Sequence, residues 1–327
     1  MPTEPYALCP MPHALCPVVP HLSEKGYMSS LEFLQRQIHT AEELRSVVKM
    51  MKVLAAVNIH QYEQAVVSLA EYNRTIEMAL HVAMTPVHTN GDRPACYPRA
   101  LLNGSVGRCG VMIFGSEQGM CGQFNEQISR YAIAELEKLQ ITPKDLTIFV
   151  IGSRIISHLE ATDYAIEQTF AMPSSLAGIT SMVQEILLHI ATWRDRQQVA
   201  RILLFYNHLH SNTFYEPYKL QLLPLDRAWL QYIESQTWQS RTLPTFTMPS
   251  DALVASLLRQ YFFISLSRAF GESLASENAS RLASMQVAEK NIEDRLTEFN
   301  GRFQQERQSA ITGELLEIIS GFELSQS

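Results

Sequence analysis

The chain has 327 residues, a formal net charge of −7 and a 46% hydrophobic content with 14 glycines. That is ordinary for a chain with a sizeable core, and the acidic balance offers no global attraction for nucleic acid. No apolar run reaches the roughly 18 residues of a membrane-spanning helix, and five irregularly spaced cysteines without a CxxC pair give neither a disulfide framework nor a zinc site.

Residues 1–27 hold six of the fifteen prolines and repeat the unit ALCP at 7–10 and 14–17. This stretch is expected to be a disordered extension or a mis-called start, with Met28 as a natural beginning. Residues 29–84 then read as one helix. Ser29 or Ser30 caps it, and neither Pro nor Gly interrupts it. An apolar seam passes through Leu31, Leu34, Ile38, Ala41, Leu44, Val48, Met51, Ala55, Ile59, Tyr62, Val66, Leu69, Asn73, Ile76, Leu80 and Ala83. Its spacing of about 3.5 residues is that of a left-handed coiled coil.

After a loop-like stretch at 86–108 the pattern changes. VMIFG (111–115), LTIFVIG (146–152) and ARILLFYNHL (200–209) are short buried strands. QFNEQISRYAIAELEKLQ and residues 176–193 between them fit amphipathic helices, and YKLQLLPL (218–225) alternates like an edge strand. Strands alternating with helices predict a parallel sheet covered on its faces. The α/β domain is placed at 108–225 and a polar linker at 226–250. Residues 251–323 contain no proline and, as a single helix, would run about 110 Å. The two terminal helices each need a partner for an apolar seam. The simplest is the other one, antiparallel, with the α/β domain inserted between them; a helix of another chain is the remaining choice.

Candidate chemistry is sparse. GSEQGMCGQFN (115–125) lies between a strand and a helix, where a phosphate loop would sit. It matches neither GxxxxGK[ST] nor GxGxxG, and a tight glycine turn with a docking surface explains it more simply. His208 and His210 flank Leu209 without an evident third ligand. Cys121 stands near a helix start without an identifiable base. Arg45, Lys49 and Lys52 line one face of the first helix, as a solvated flank or a surface for an acidic partner. In AITGELLEIISGF the apolar residues surround much of the helix, so this end calls for burial.

The segments ESLASENASRLASMQVAEKNIEDRL and FNGRFQQERQSAITGELLEIISG closely resemble the end of the gamma subunit of F-type ATP synthases. GSEQGMCGQFN is similar to that family's GSDRGLCGGFN loop, and KMMKVLAAV to its KAMKMVAAA stretch. The resemblance spans about 29–323 and implies a mixed α and α/β fold: a long antiparallel two-helix coiled coil with an inserted Rossmann-like domain. It implies a rotating central shaft without catalytic, cofactor or metal sites, held at the cytoplasmic face of the bacterial membrane. The implied partners are the alpha and beta subunits of the catalytic hexamer, the epsilon subunit and the c-subunit ring, with no nucleic acid. By position, Arg307, Gln308 and Thr312 fall where the family has polar contacts to the beta subunit. Ile311, Leu315, Ile318, Ile319 and Phe322 fall in the apolar bearing, Met51 at a coupling position, and Glu117, Gln118 and Gly119 in a docking loop.

The sequence also departs from the family. Glu117-Gln118 replaces Asp-Arg, Gln123 replaces a glycine, and RSVVKMM (45–51) replaces QxITxAM. These are marks of a divergent branch, with the alternative, often sodium-translocating, bacterial enzyme as the candidate. The absence of a long cysteine-bearing insertion argues against a thiol-regulated chloroplast type. Two other function classes compete: a free-standing coiled-coil adaptor with an α/β module, and a small α/β enzyme with helical arms.

Overall fold

A computed structural model describes residues 24–84, 107–160, 162, 164–211, 214–236, 242 and 244–325. The expectations for residues 1–23 and for the loop at 86–106 lie outside the described residues. The elements in chain order are α1 (Glu24–Met84), β1 (Arg108–Phe114), α2 (Phe124–Lys138), β2 (Leu146–Ile151), α3 (Ile156–Leu159), β3 (Ile166–Phe170), α4 (Leu176–Gln197), β4 (Val199–Ser211), β5 (Phe214–Leu223), α5 (Arg227–Ser235) and α6 (Ser250–Ser325). The chain divides into two compact units. One comprises residues 46–290; the other comprises 1–45 together with 291–327.

Within the 46–290 unit the five strands form one sheet in the order β3-β2-β1-β4-β5. The β1–β2, β1–β4 and β2–β3 pairs are parallel, and β4–β5 is antiparallel. β1 is buried along almost its whole length, which is why its sequence is a continuous apolar run rather than an alternation. Its side chains still alternate between the two faces. Cys109, Val111 and Ile113 pack with Ile128, Ala132 and Leu136 of α2. Met112 and Phe114 join Val183, Ile186 and Trp193 of α4 and Leu80 and Phe270 of the long helices. Pro217 sits in β5, at the sheet edge where a missing backbone donor is tolerated.

The same unit shows why the long helices pair with each other. Lys52 bonds Glu289, Asn58 Nδ2 donates to Asn278 Oδ1 at 3.4 Å, and Tyr72 OH donates to Gln260 Oε1 at 3.4 Å. Partner numbers fall as α1 numbers rise, so the helices are antiparallel. Val48, Ala55, Ile59, Tyr62, Ile76, Leu80 and Ala83 of the expected seam are buried. At Gly271 a Cβ would come within 2.8 Å of Val66 Cγ2, which marks where the two helices approach closely.

Several elements differ from the sequence expectation. α1 begins at Glu24, before the serines expected to cap it. Leu44 is exposed, and Arg45 takes the half-buried place beside it. The stretch expected to be a plain linker contains α5, whose Leu230 and Ile233 are buried. Asp226 starts that helix by accepting the Ala228 amide at 2.9 Å. β3 was not expected, because IEQTF is polar at alternate positions and half exposed at the sheet edge.

Candidate functional site

Three separate groups of residues are candidates, one in the unit formed by 1–45 and 291–327 and two in the 46–290 unit. In the unit formed by 1–45 and 291–327, the end of α6 presents Ile311, Leu315, Leu316, Ile318, Ile319 and Phe322, all exposed, with Phe322 at 67%. Positions 311, 315, 318 and 322 share one helix face, and Leu316 and Ile319 widen it. An exposed contiguous apolar patch of this kind is uncommon on a free surface. Arg307 and Gln308 are exposed just before it, and Thr312 Oγ1 donates back to the Gln308 carbonyl at 2.8 Å. Polar donors thus border an apolar surface.

In the 46–290 unit, Met51 is half-buried on the seam side of α1. Sequence reasoning missed what lies on the opposite side. Val47, Met50, Leu54 and Val57, at helical spacing, are all exposed. The signal was present in RSVVKMMKVLAAV, which is apolar at too many positions for a single seam.

The third group is the loop after β1. Glu117 and Gly119 are half-buried, while Gln118 and Met120 are exposed, Met120 by 60%. Met120 has φ +61°, a left-handed conformation unusual for a residue with a side chain, so the loop holds its apolar tip outward at a conformational cost. The loop is fastened to α6. Arg281 Nη2 donates to the Gln118 carbonyl at 3.4 Å, and Ser280 Oγ donates to the Cys121 carbonyl at 2.6 Å. Tyr215 OH in turn donates to Ser280 Oγ at 3.0 Å. Inside the loop, Asn125 accepts the Ser116 amide at 2.9 Å and donates to Ser116 Oγ at 2.8 Å.

Residues 269–281 of α6 are buried without a break, although they include Glu272, Glu277, Asn278 and Arg281. Burial pushes the Glu277 carboxyl above the usual carboxylate range, against the pull of Arg281. Glu272 accepts from Arg268 Nε and is hydrogen-bonded to His208 Nδ1, each at 2.6 Å. His210 pairs instead with Glu216, so the two histidines serve different carboxylates. Burial raises the Cys121 thiol, and pushes that of Cys109 up to about 11. Both thiols are therefore protonated at neutral pH and poor nucleophiles.

This combination defines a class. It is the class of chains built on an antiparallel pair of long helices with an inserted α/β sheet and exposed apolar helix surface. The ATP-synt family, described as ATP synthase, matches residues 30–324. The chain belongs to that family. It is 25% identical over 301 residues to an ATP synthase gamma chain of Buchnera aphidicola subsp. Diuraphis noxia, covering 90% of this chain and 98% of the relative. It is 24% identical over 306 residues to the gamma chain of Bacteroides fragilis strain YCH46, covering 90% and 99%. Among solved structures, a chain in the Euglena gracilis mitochondrial ATP synthase assembly of OSCP, F1 and c-ring shares the fold. The TM-score is 0.57 at 17% identity, over 91% of this chain and 95% of that one. A chain of the Euglena gracilis rotor gives 0.54 at 16% identity, over 86% and 99%. These relatives support membership among the gamma subunits and not the free-standing adaptor. Among the described residues, no helix is long and apolar enough to cross a membrane.

Proposed function

We propose that this chain is the central rotor shaft of an F-type ATP synthase, coupling ion translocation across a membrane to ATP synthesis or hydrolysis in partner subunits. The observation that carries this reading is the family match over residues 30–324. The exposed apolar end of α6 adds the physical means. In this reading the chain has no active site of its own. The alpha and beta subunits surround the α6 end, while the epsilon subunit and the c-ring engage the α/β body. Residues 29–84 and 251–323 act as the shaft, 108–225 as the body and 226–250 as the link between body and shaft. The chain works at the cytoplasmic face of a bacterial inner membrane, held there through the complex.

Ile311, Leu315, Ile318, Ile319 and Phe322 act as the bearing. Apolar contact is non-directional, so it can be remade at every angle of rotation. Arg307, Gln308 and Thr312 act as a catch, because directional hydrogen bonds give a few preferred stops. The exposed stripe of Val47, Met50, Leu54 and Val57 provides a second partner-facing surface, and Met51, on the seam side of α1, acts at the coupling position. Glu117, Gln118 and Gly119 provide the docking loop, with Met120 at its tip.

The deciding experiment is co-expression with alpha and beta subunits. The chain is expected to co-purify with them and to support their ATPase activity. Failure to assemble with either overturns the rotary reading, and nucleotide turnover by the isolated chain would favour an enzyme instead. Within the complex, Arg307→Ala is expected to weaken coupling more than assembly. Equal losses of both would remove Arg307 from the catch.

A further inference from the structure

At the C-terminal edge of the parallel strands, the loops after β1, β2 and β3 converge. In covered parallel sheets, backbone amides at this edge commonly receive the anionic group of a ligand. Here a side chain of the protein itself holds that place. Glu117 Oε1 accepts from Ser153 Oγ at 2.9 Å, and Glu117 Oε2 accepts the Ser153 amide at 3.3 Å and the Met172 amide at 3.2 Å. One carboxylate thus satisfies three donors from the two neighbouring loops.

The surrounding backbone fixes this pocket of donors. The Arg154 amide donates to the Ser116 carbonyl at 3.0 Å, Gly115 to Ile151 at 2.8 Å, and Gly152 to Phe170 at 2.8 Å. Gly152 has φ +92°, and a Cβ there would meet the Ser116 carbonyl oxygen at 2.7 Å. Immediately after Glu117, the Gln118 and Cys121 carbonyls are held by Arg281 and Ser280 of α6. The loop is gripped on the sheet side by an anion and on the helix side by donors to its carbonyls.

We infer that Glu117 is the resident ligand of a carboxylate-binding nest, one that accepts a small free carboxylate when the Glu117 side chain is removed. Glu117 is a positioning residue. It occupies the donors that a doubly wound domain would offer to a ligand, and so fixes the loop that α6 grips. The nest has the chemistry of a planar two-oxygen anion, since separate donors serve each oxygen. This inference does not depend on rotation or on the bearing, because its readout is local.

The test is hydrogen exchange on the full chain purified with its partner subunits, following peptides that contain Ser153 and Met172. In Glu117→Ala these amides are expected to exchange about tenfold faster, the scale of a lost charge-assisted hydrogen bond. Sodium acetate should restore most of the protection, and sodium chloride at equal ionic strength should not. Neither salt should alter the wild type at these amides. Unchanged exchange in Glu117→Ala overturns the assignment. So does faster exchange that acetate fails to slow, or that chloride slows equally. Should Glu117→Ala fail to assemble, Glu117→Gln provides the second variant. Its neutral amide is expected to leave the two backbone amides less protected than in the wild type, and wild-type protection would refute the charged role.

Discussion

The guanidinium of Arg281 lies 2.5 Å from the carboxylate of Glu277, one helical turn away, with their side chains only 8% and 6% exposed. The pair sits where α6 passes between α1 and the loop after β1. Glu277 Oε2 and Arg281 Nε have no hydrogen-bond partner among the described residues, so the desolvation of both groups is incompletely repaid. Such a pair costs more to break than it contributes as a whole.

Arg281→Ala is therefore expected to destabilise the chain by about 3–5 kcal/mol, because it strands the Glu277 charge in a buried place. The double variant Glu277→Gln with Arg281→Ala should cost clearly less than that single change. Denaturant midpoints of the four members of the cycle, each with its unfolding slope, would check this. A double variant as unstable as Arg281→Ala would show that packing, not charge, sets the cost.

The titration of Glu277 gives a separate signature. Burial holds its carboxyl above the unfolded value in the folded chain, so the folded state binds the proton more tightly. Stability from this group is then fully present below the ordinary glutamate range of about 4.3, and is lost as pH rises through the higher folded value. Glu277→Gln should flatten that part of the stability–pH curve. Parallel curves for the variant and the wild type across this window would contradict the assignment.

The buried thiols give a prediction of reactivity. Cys121 Sγ lies 3.4 Å from Ser116 Oγ and 3.7 Å from Asn125 Nδ2, inside the turn that joins β1 to α2. With both Cys109 and Cys121 raised by burial, neither should react with iodoacetamide at pH 7.5 in the folded protein. Both should react on unfolding. Mass spectrometry of alkylated peptides covering the two residues decides this, and rapid native labelling of Cys121 would mean that the loop opens.

Much of the fold was legible because its signals are periodic. The seam of α1 and the apolar runs of β1, β2 and β4 follow from burial on one stripe or on both faces. β3 was not legible, since an edge strand with polar alternate positions has no strong pattern. α5 was hidden by its short length, although the Asp226 cap was present in the sequence. For the candidate site, the α6 end could be read from its excess of apolar residues. The hub around Glu272, Glu277 and Arg281 could not, because a Ser, Asn, Glu and Arg mixture on a helix normally reads as a solvated face. Only the packing of α1 and the sheet on both sides of α6 reveals that it is buried. The bonds of Glu117 to Ser153 and Met172 join loops distant in sequence, and no local pattern announces them.

Two glycines should respond to alanine in opposite directions. At Gly152 the left-handed φ of +92° and the 2.7 Å approach of a Cβ to the Ser116 carbonyl leave no room for a side chain, and the obstructing atom is backbone. Gly152→Ala is expected to cost more than about 1 kcal/mol through strain, and to loosen the loop that carries Glu117. Gly301 lies within α6, where a Cβ would meet nothing within 4 Å. Gly301→Ala is expected to stabilise by about 0.5–1 kcal/mol, since alanine loses less backbone entropy in a helix. Thermal midpoints of the two variants against the wild type provide the check. Destabilisation at Gly301 would mean that a surface covers this stretch of helix closely enough to exclude a methyl group.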